Sequence, residues 1–207
     1  AGVIGSLYAV LFAETGYDTS IYARGKRLEF LKKNGLLYKK KQNIKRAEIT
    51  ILGELPDNDI YDFILLTVRE NQLYEALTEL KNNKSNTIVT MINSLDSYNK
   101  WEDIVGKGRI LPAFPGAGGS INDDGILDAS LTPRIIQPTT FAEISGNKSE
   151  RTKHFSKTVL QENWARLSKE EKEQYERQLE KVKKVYNKEF CQNEEKKKMG
   201  VGAIESL

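Results

Sequence analysis

The chain opens Ala1-Gly2-Val3-Ile4-Gly5-Ser6-Leu7-Tyr8-Ala9, and its glycines have the spacing of the second and third glycines of G-x-G-x-x-G. A glycine at position 2 lets the backbone approach a pyrophosphate. Gly5 lets the helix that begins here pack close to a sheet, and the free amides at the start of that helix face the phosphates. Gly2, Val3, Ile4 and Gly5 are therefore candidate cofactor contacts. Two glycines also fit a plain small-residue helix start, so the residues downstream decide between the readings.

Working outward, the periodicity predicts a helix over Ile4 to Thr15, closed by Gly16, then a strand over Thr19 to Ala23 and a helix over Arg27 to Asn34 before Gly35. Lys39 to Leu52 is basic and partly β-like and reads as a hairpin insertion. Phe63 to Val68 and Thr87 to Ile92 are continuous apolar runs of strand length, as expected where both faces of a parallel sheet are covered. Gln72 to Lys81 between them is a helix. Phe114 to Gly119, rich in Gly and Pro, reads as a flexible loop over a cofactor cleft. The expected fold is α/β, a Rossmann-like doubly wound parallel sheet with a C-terminal α-helical extension. The fingerprint's first glycine and its strand do not stand before Ala1. An apolar strand ending in Gly is expected upstream, and without it the sheet has a gap between its neighbours.

About 20 residues beyond the glycines, where an NAD enzyme places an acid on the ribose hydroxyls, the sequence reads Tyr22-Ala23-Arg24-Gly25-Lys26-Arg27. A guanidinium there suits the 2′-phosphate of NADP. Arg24, helped by Lys26 or Arg27, implies NADP as cofactor, although the latter two also fit a solvated basic helix start.

The strings Ala-Gly-Val-Ile-Gly-Ser-Leu-Tyr-Ala, Ile-Tyr-Ala-Arg-Gly, Leu-Leu-Thr-Val-Arg-Glu-Asn-Gln72, Met-Ile-Asn93 and Ile-Gln-Pro-Thr-Thr-Phe-Ala-Glu143-Ile-Ser-Gly resemble, in order, the N-terminal domain of ketopantoate (2-dehydropantoate) reductases. That resemblance implies NADPH-dependent reduction of a small 2-oxo acid in pantothenate synthesis. It places Arg69, Gln72 and Asn93 near cofactor and substrate, with Arg69 and Asn93 as the catalytic candidates and Glu143 as a further cofactor contact. Gln72 also fits a helix surface, and Asn93 a strand-to-helix turn. Ser94-Leu95-Asp96 stands where the family has a Gly-rich turn. Arg69 replaces the family's usual Lys, keeping the charge but not the ability to give up a proton near neutral pH. The family's general-acid lysine belongs to a second, helical domain without a counterpart here, so the chain alone is expected to be incomplete for catalysis. A homo-oligomer or a partner supplying the absent elements is expected.

Hydrophobic residues are 39% of the 207 and charged residues 29%, the balance of a globular chain with one ordinary domain and a small appendage. No apolar run reaches the roughly 18 residues of a membrane helix, so no membrane contact is expected. One cysteine, Cys191, and one histidine, His154, exclude a disulfide framework and make a histidine-based metal site improbable, so no metal is expected. They permit a reducing compartment, and a cytoplasmic location is expected.

The domain boundary is expected at residues 157/158. From Arg151 onward fourteen Lys and Arg face ten Glu, a balance of +4, against −1 for residues 1–150. Tyr175, Leu179, Val182, Tyr186 and Phe190 line one helix face, and Ser168-Lys-Glu-Glu171 fits a capping box. The stretch from Phe155 through Trp164 to Tyr175 resembles the second half of an HMG box, which implies a DNA contact. Trp164, Tyr175 and Tyr186 suit the core of a helical pair better than they suit DNA stacking. With basic charge so nearly cancelled, counterion release is small. Anisotropy titration with mixed-sequence duplex is expected to give a dissociation constant no tighter than about 1 micromolar at physiological salt, and nanomolar binding with bending would make the tail a working DNA module.

Overall fold

The computed structural model describes residues 1–132 and 137–166, with side chains through Val159. The chain divides into two compact units, 1–162 and 163–207. In the second, only the last residues of a helix are described. The tail residues Ser168 to Phe190 and Cys191 thus lie outside the described residues.

The first helix, α1, spans Val3–Glu14, and Ser6 to Leu11 are all buried. A helix apolar on every side needs cover on every side, and the fold supplies it from two directions. On one side stand parallel strands: β1 (Ser20–Tyr22) pairs with β4 (Thr50–Leu52), and β5 (Ile64–Leu66), β6 (Ile88–Met91) and β7 (Ile110–Phe114) pair in turn, with β10 (Thr140–Phe141) antiparallel on the edge. The resulting sheets are β1–β4 and β10–β7–β6–β5. β1 and β5 thus belong to separate sheets, dividing the parallel strands where the sequence leads one to expect a gap. On the other side of α1 lies a third sheet, β3–β2–β9–β8, made from β2 (Leu37–Lys40), β3 (Asn43–Arg46), β8 (Ala117–Ile121) and β9 (Leu127–Leu131).

Alternation along the strands sends neighbouring side chains to opposite faces. Val89 of β6 and Leu111 of β7 join the core around α1, whereas Ile88 and Ile110 join a second core with Leu73, Leu77, Trp101 and Val105. That second core lies under α3 (Leu73–Glu79), which follows a 3₁₀ turn at Glu70–Gln72, and α4 (Tyr98–Val105). The remaining helix, α2, spans Gly25–Asn34.

Two expectations need correction. The segment Phe114 to Gly119 is not a free loop, because it carries the end of β7 and the first half of β8. Gly119 reflects close backbone packing, since a Cβ there would stand 2.4 Å from Ala129 Cα of β9. Lys39 to Leu52 holds a hairpin only in its first part, where β2 and β3 pair from Leu37↔Arg46 to Lys40↔Asn43. Thr50–Leu52 leaves the hairpin to run parallel to β1.

The last described helix, α5, spans Glu150–Arg166 and runs through residue 157. Phe155 is fully buried in the core around α1, its ring centroid 5.1 Å from Phe63 and 4.9 Å from Phe141. The first residues of the HMG-like stretch are thus part of the α/β core. Truncating this ring leaves a cavity that rigid strands cannot close, so Phe155→Ala should cost about 3–5 kcal/mol, seen as an earlier midpoint in urea unfolding.

Candidate functional site

The N-terminus of α1 fixes the site. Its N-cap is Gly2, extended at φ −84° and ψ −171°, with no side chain to cap the first turn. The leading amides therefore have no side-chain acceptor and can serve an anion. Nothing lies within 4 Å of where a Cβ on Gly2 would stand, whereas a Cβ on Gly5 would come 2.6 Å from Thr67 Oγ1. Open space before the first glycine and none beside the second match the two tasks read from the fingerprint. Val3 and Ile4 supply backbone between them.

This N-terminus meets the carboxyl ends of both parallel groups. Ala1 N lies 3.3 Å from the carbonyl oxygen of Tyr22 in β1, and Gly5 rests on Thr67, just past β5. Arg69 also follows β5 and Asn93 follows β6, both exposed, so they rise from the same edge. Ligands of open α/β sheets bind outside the carboxyl ends of the strands. Arg69 makes no ion pair among the described residues. Gln72 closes the 3₁₀ turn, its amide donating to Arg69 O at 2.9 Å.

The turn after Asn93 is organised by side chains. Ser94 Oγ donates to Glu70 Oε1 at 2.7 Å, and Asp96 accepts from Tyr74 at 2.6 Å and from Lys100 at 2.9 Å. These bonds hold the Asp96 carboxyl below its ordinary range. Ser94 and Asp96 thus tie the turn after β6 to the 3₁₀ turn and α3 that follow β5. Leu95 between them is fully exposed.

The basic residues after β1 divide. Arg24, the N-cap of α2, places Nη1 2.8 Å from Glu75 Oε1 and 3.8 Å from Glu79 Oε2 of α3. Arg27 turns to the carbonyl of Gly125 at 3.4 Å, and its guanidinium lies 5.4 Å from the Phe30 ring centroid. Lys26 is exposed and makes no ion pair among the described residues. Glu75 and Glu79 were not singled out in the sequence, although acids one helical turn apart on α3 were a legible signal.

Glu143 does not join this edge. It follows β10, which runs antiparallel to β7 and so carries it back toward the amino ends of the parallel strands. There its carboxylate pairs with Arg151, whose guanidinium also reaches the carbonyls of Gly108 and Ile110 at 2.6 and 3.1 Å. The pair fastens the start of α5 to the sheet.

These features define a Rossmann-type dinucleotide-binding domain. The chain belongs to the ketopantoate reductase PanE/ApbA family, whose model matches residues 1–135. It is 27% identical over 132 residues to the 2-dehydropantoate 2-reductase of Pyrococcus horikoshii, covering 62% of this chain and 42% of that protein. The crystal structure of the 2-dehydropantoate 2-reductase of Methylococcus capsulatus superposes with a TM-score of 0.63 at 18% identity, covering 78% of this chain and 52% of that one. D-mandelate dehydrogenase, solved with NADH and anilino(oxo)acetate, gives 0.66 at 16%, covering 79% and 53%. The chain thus spans about half the length of these relatives. No helix among the described residues is long and apolar enough to cross a membrane.

Arg151 holds the Glu143 carboxyl below its ordinary range, with a smaller contribution from Ser149 outweighed by burial. A depressed carboxylate stabilises the fold above its unfolded-state pKa, and that stability is lost as pH falls through the folded value. Glu143→Gln should therefore cost about 1–3 kcal/mol at neutral pH. In denaturant titrations the gap from the parent should shrink as the medium is acidified below the ordinary carboxylate range.

Proposed function

We propose that this chain is the nucleotide-binding part of an NADPH-dependent oxidoreductase that reduces a small 2-oxo acid, ketopantoate, to its 2-hydroxy acid in the cytoplasmic synthesis of pantothenate. The observation that carries the reading is the paired geometry of the glycines, open before Gly2 and closed on Thr67 at Gly5. The backbone from Gly2 to Gly5 receives the pyrophosphate, and Arg24 with Lys26 receives the 2′-phosphate. Arg69, charged and without an ion pair among the described residues at the strand ends, orients the substrate carboxylate, and Asn93 donates its amide hydrogens to the ketone or the carboxamide beside it. Gln72 supports the turn that carries Arg69. When bound, the cofactor supplies the hydride. Groups beyond those described, from this chain's own assembly or a partner, complete the proton transfer.

Fluorescence titration of the purified chain is expected to show tighter binding of NADPH than of NADH. Arg24→Glu should abolish that preference, and Gly2→Val should weaken both nucleotides by filling the space meant for phosphate. Equal binding of both by the parent chain would remove NADP from the reading.

A further inference from the structure

A cation intended for a phosphate is ordinarily left free to meet it, but Arg24 is already engaged. Its guanidinium lies between two carboxylates of α3, 2.8 Å from Glu75 and 3.8 Å from Glu79. The two acids differ in mobility. Glu79 also accepts a hydrogen bond from the Tyr22 hydroxyl, and burial together with this carboxylate pushes that hydroxyl up to about 12. Glu79 is thereby fastened to β1. Glu75 has no second partner among the hydrogen bonds of the described residues, and its side chain is 66% exposed against 31% for Glu79.

We propose that Glu75 and Glu79 are internal counter-ions that set the cofactor preference of this site, with Glu75 a movable competitor that a 2′-phosphate must displace from Arg24. This inference rests on the reading of Arg24 as the 2′-phosphate ligand. One guanidinium between two carboxylates leaves a local excess of negative charge, and a phosphate monoester adds about −1.5 to −2 more. The 2′-hydroxyl of NADH carries no charge and can donate to a carboxylate without opening the pair. Both acids therefore penalise NADPH while leaving NADH nearly indifferent. Exposed pairs contribute little to stability, so Glu75 can swing into water at small cost and the penalty limits the preference without reversing it.

The experiment compares NADPH and NADH dissociation constants, with 2′,5′-ADP and 5′-AMP as probes lacking the nicotinamide, for the whole chain and for Glu75→Gln, Glu79→Gln and the double variant. Glu75→Gln should raise the NADPH-over-NADH ratio about threefold, the change expected from losing an exposed pair, and the double variant should raise it further. The gain should appear in 2′,5′-ADP over 5′-AMP and vanish when Arg24→Gln is added. A purely structural role for Glu75 would shift both nucleotides together, and that result overturns the inference. An unchanged or lowered ratio overturns it too. If Arg24→Gln alone collapses the ratio while the glutamate variants leave it in place, the cofactor reading survives and the counter-ion role fails. Failure of the parent chain to bind either dinucleotide overturns both.

Discussion

The contact of Gly5 with Thr67 is the constraint on which the rest depends. α1 is apolar on all sides, with Leu7, Tyr8, Ala9, Val10 and Leu11 buried, so its position is fixed by cover from strands in front and behind. It can approach the end of β5 closely only because position 5 carries no side chain. That approach brings the uncapped turn at Gly2 to the strand ends where Arg69 and Asn93 stand. Adding a methyl group at Gly5 would move the helix, and with it the amides, relative to both residues. The dinucleotide end of the site is thus a consequence of core packing, built from backbone and requiring little of any particular side chain.

Much of this was legible in sequence because it depends on local pattern. The runs Phe63 to Val68 and Thr87 to Ile92 are apolar on both faces, and they became β5 and β6 with helices on either side. The misreadings have a common cause in long-range pairing. Phe114 to Gly119 reads as a loop by composition, but the chain near Gln137 lies against Gly116 and β9 against Gly119, leaving neither room for a side chain. Thr50–Leu52 falls within the stretch that reads as a hairpin insertion, and only the pairing with β1 removes it.

The candidate site divides along the same line. Arg24, Arg69 and Asn93 each stand two or three residues past a strand, a position readable from the pattern of apolar runs. Glu143 also follows a strand, yet β10 is antiparallel, and strand direction is set by pairing that sequence adjacency does not reveal. A residue in the same relation to its strand therefore arrives at the opposite edge, where an arginine from α5 meets it. The acids on α3 escaped notice for the complementary reason. Their spacing on α3 is visible in the sequence, but what they meet is Arg24, more than 50 positions earlier, and that partner is not.

The two ends of the cleft consequently ask different things of this chain. Phosphates can be met by amides whose direction is fixed by α1, and such contacts need no titrating group. In the proposed reaction, reduction of a ketone needs a proton as well as a hydride, and the proposed roles of Arg69 and Asn93 are to hold and polarise without supplying one. A guanidinium and a carboxamide can donate hydrogen bonds, but neither side-chain type serves as a general acid near neutral pH. Arg69 and Asn93 are both exposed, with Leu95 fully exposed beside them, and water weakens electrostatic contacts made at exposed groups. Tight nucleotide binding is therefore compatible with the described residues alone. Turnover in the proposed reaction would in addition need an acid at the ketone, a role that neither a guanidinium nor a carboxamide fills.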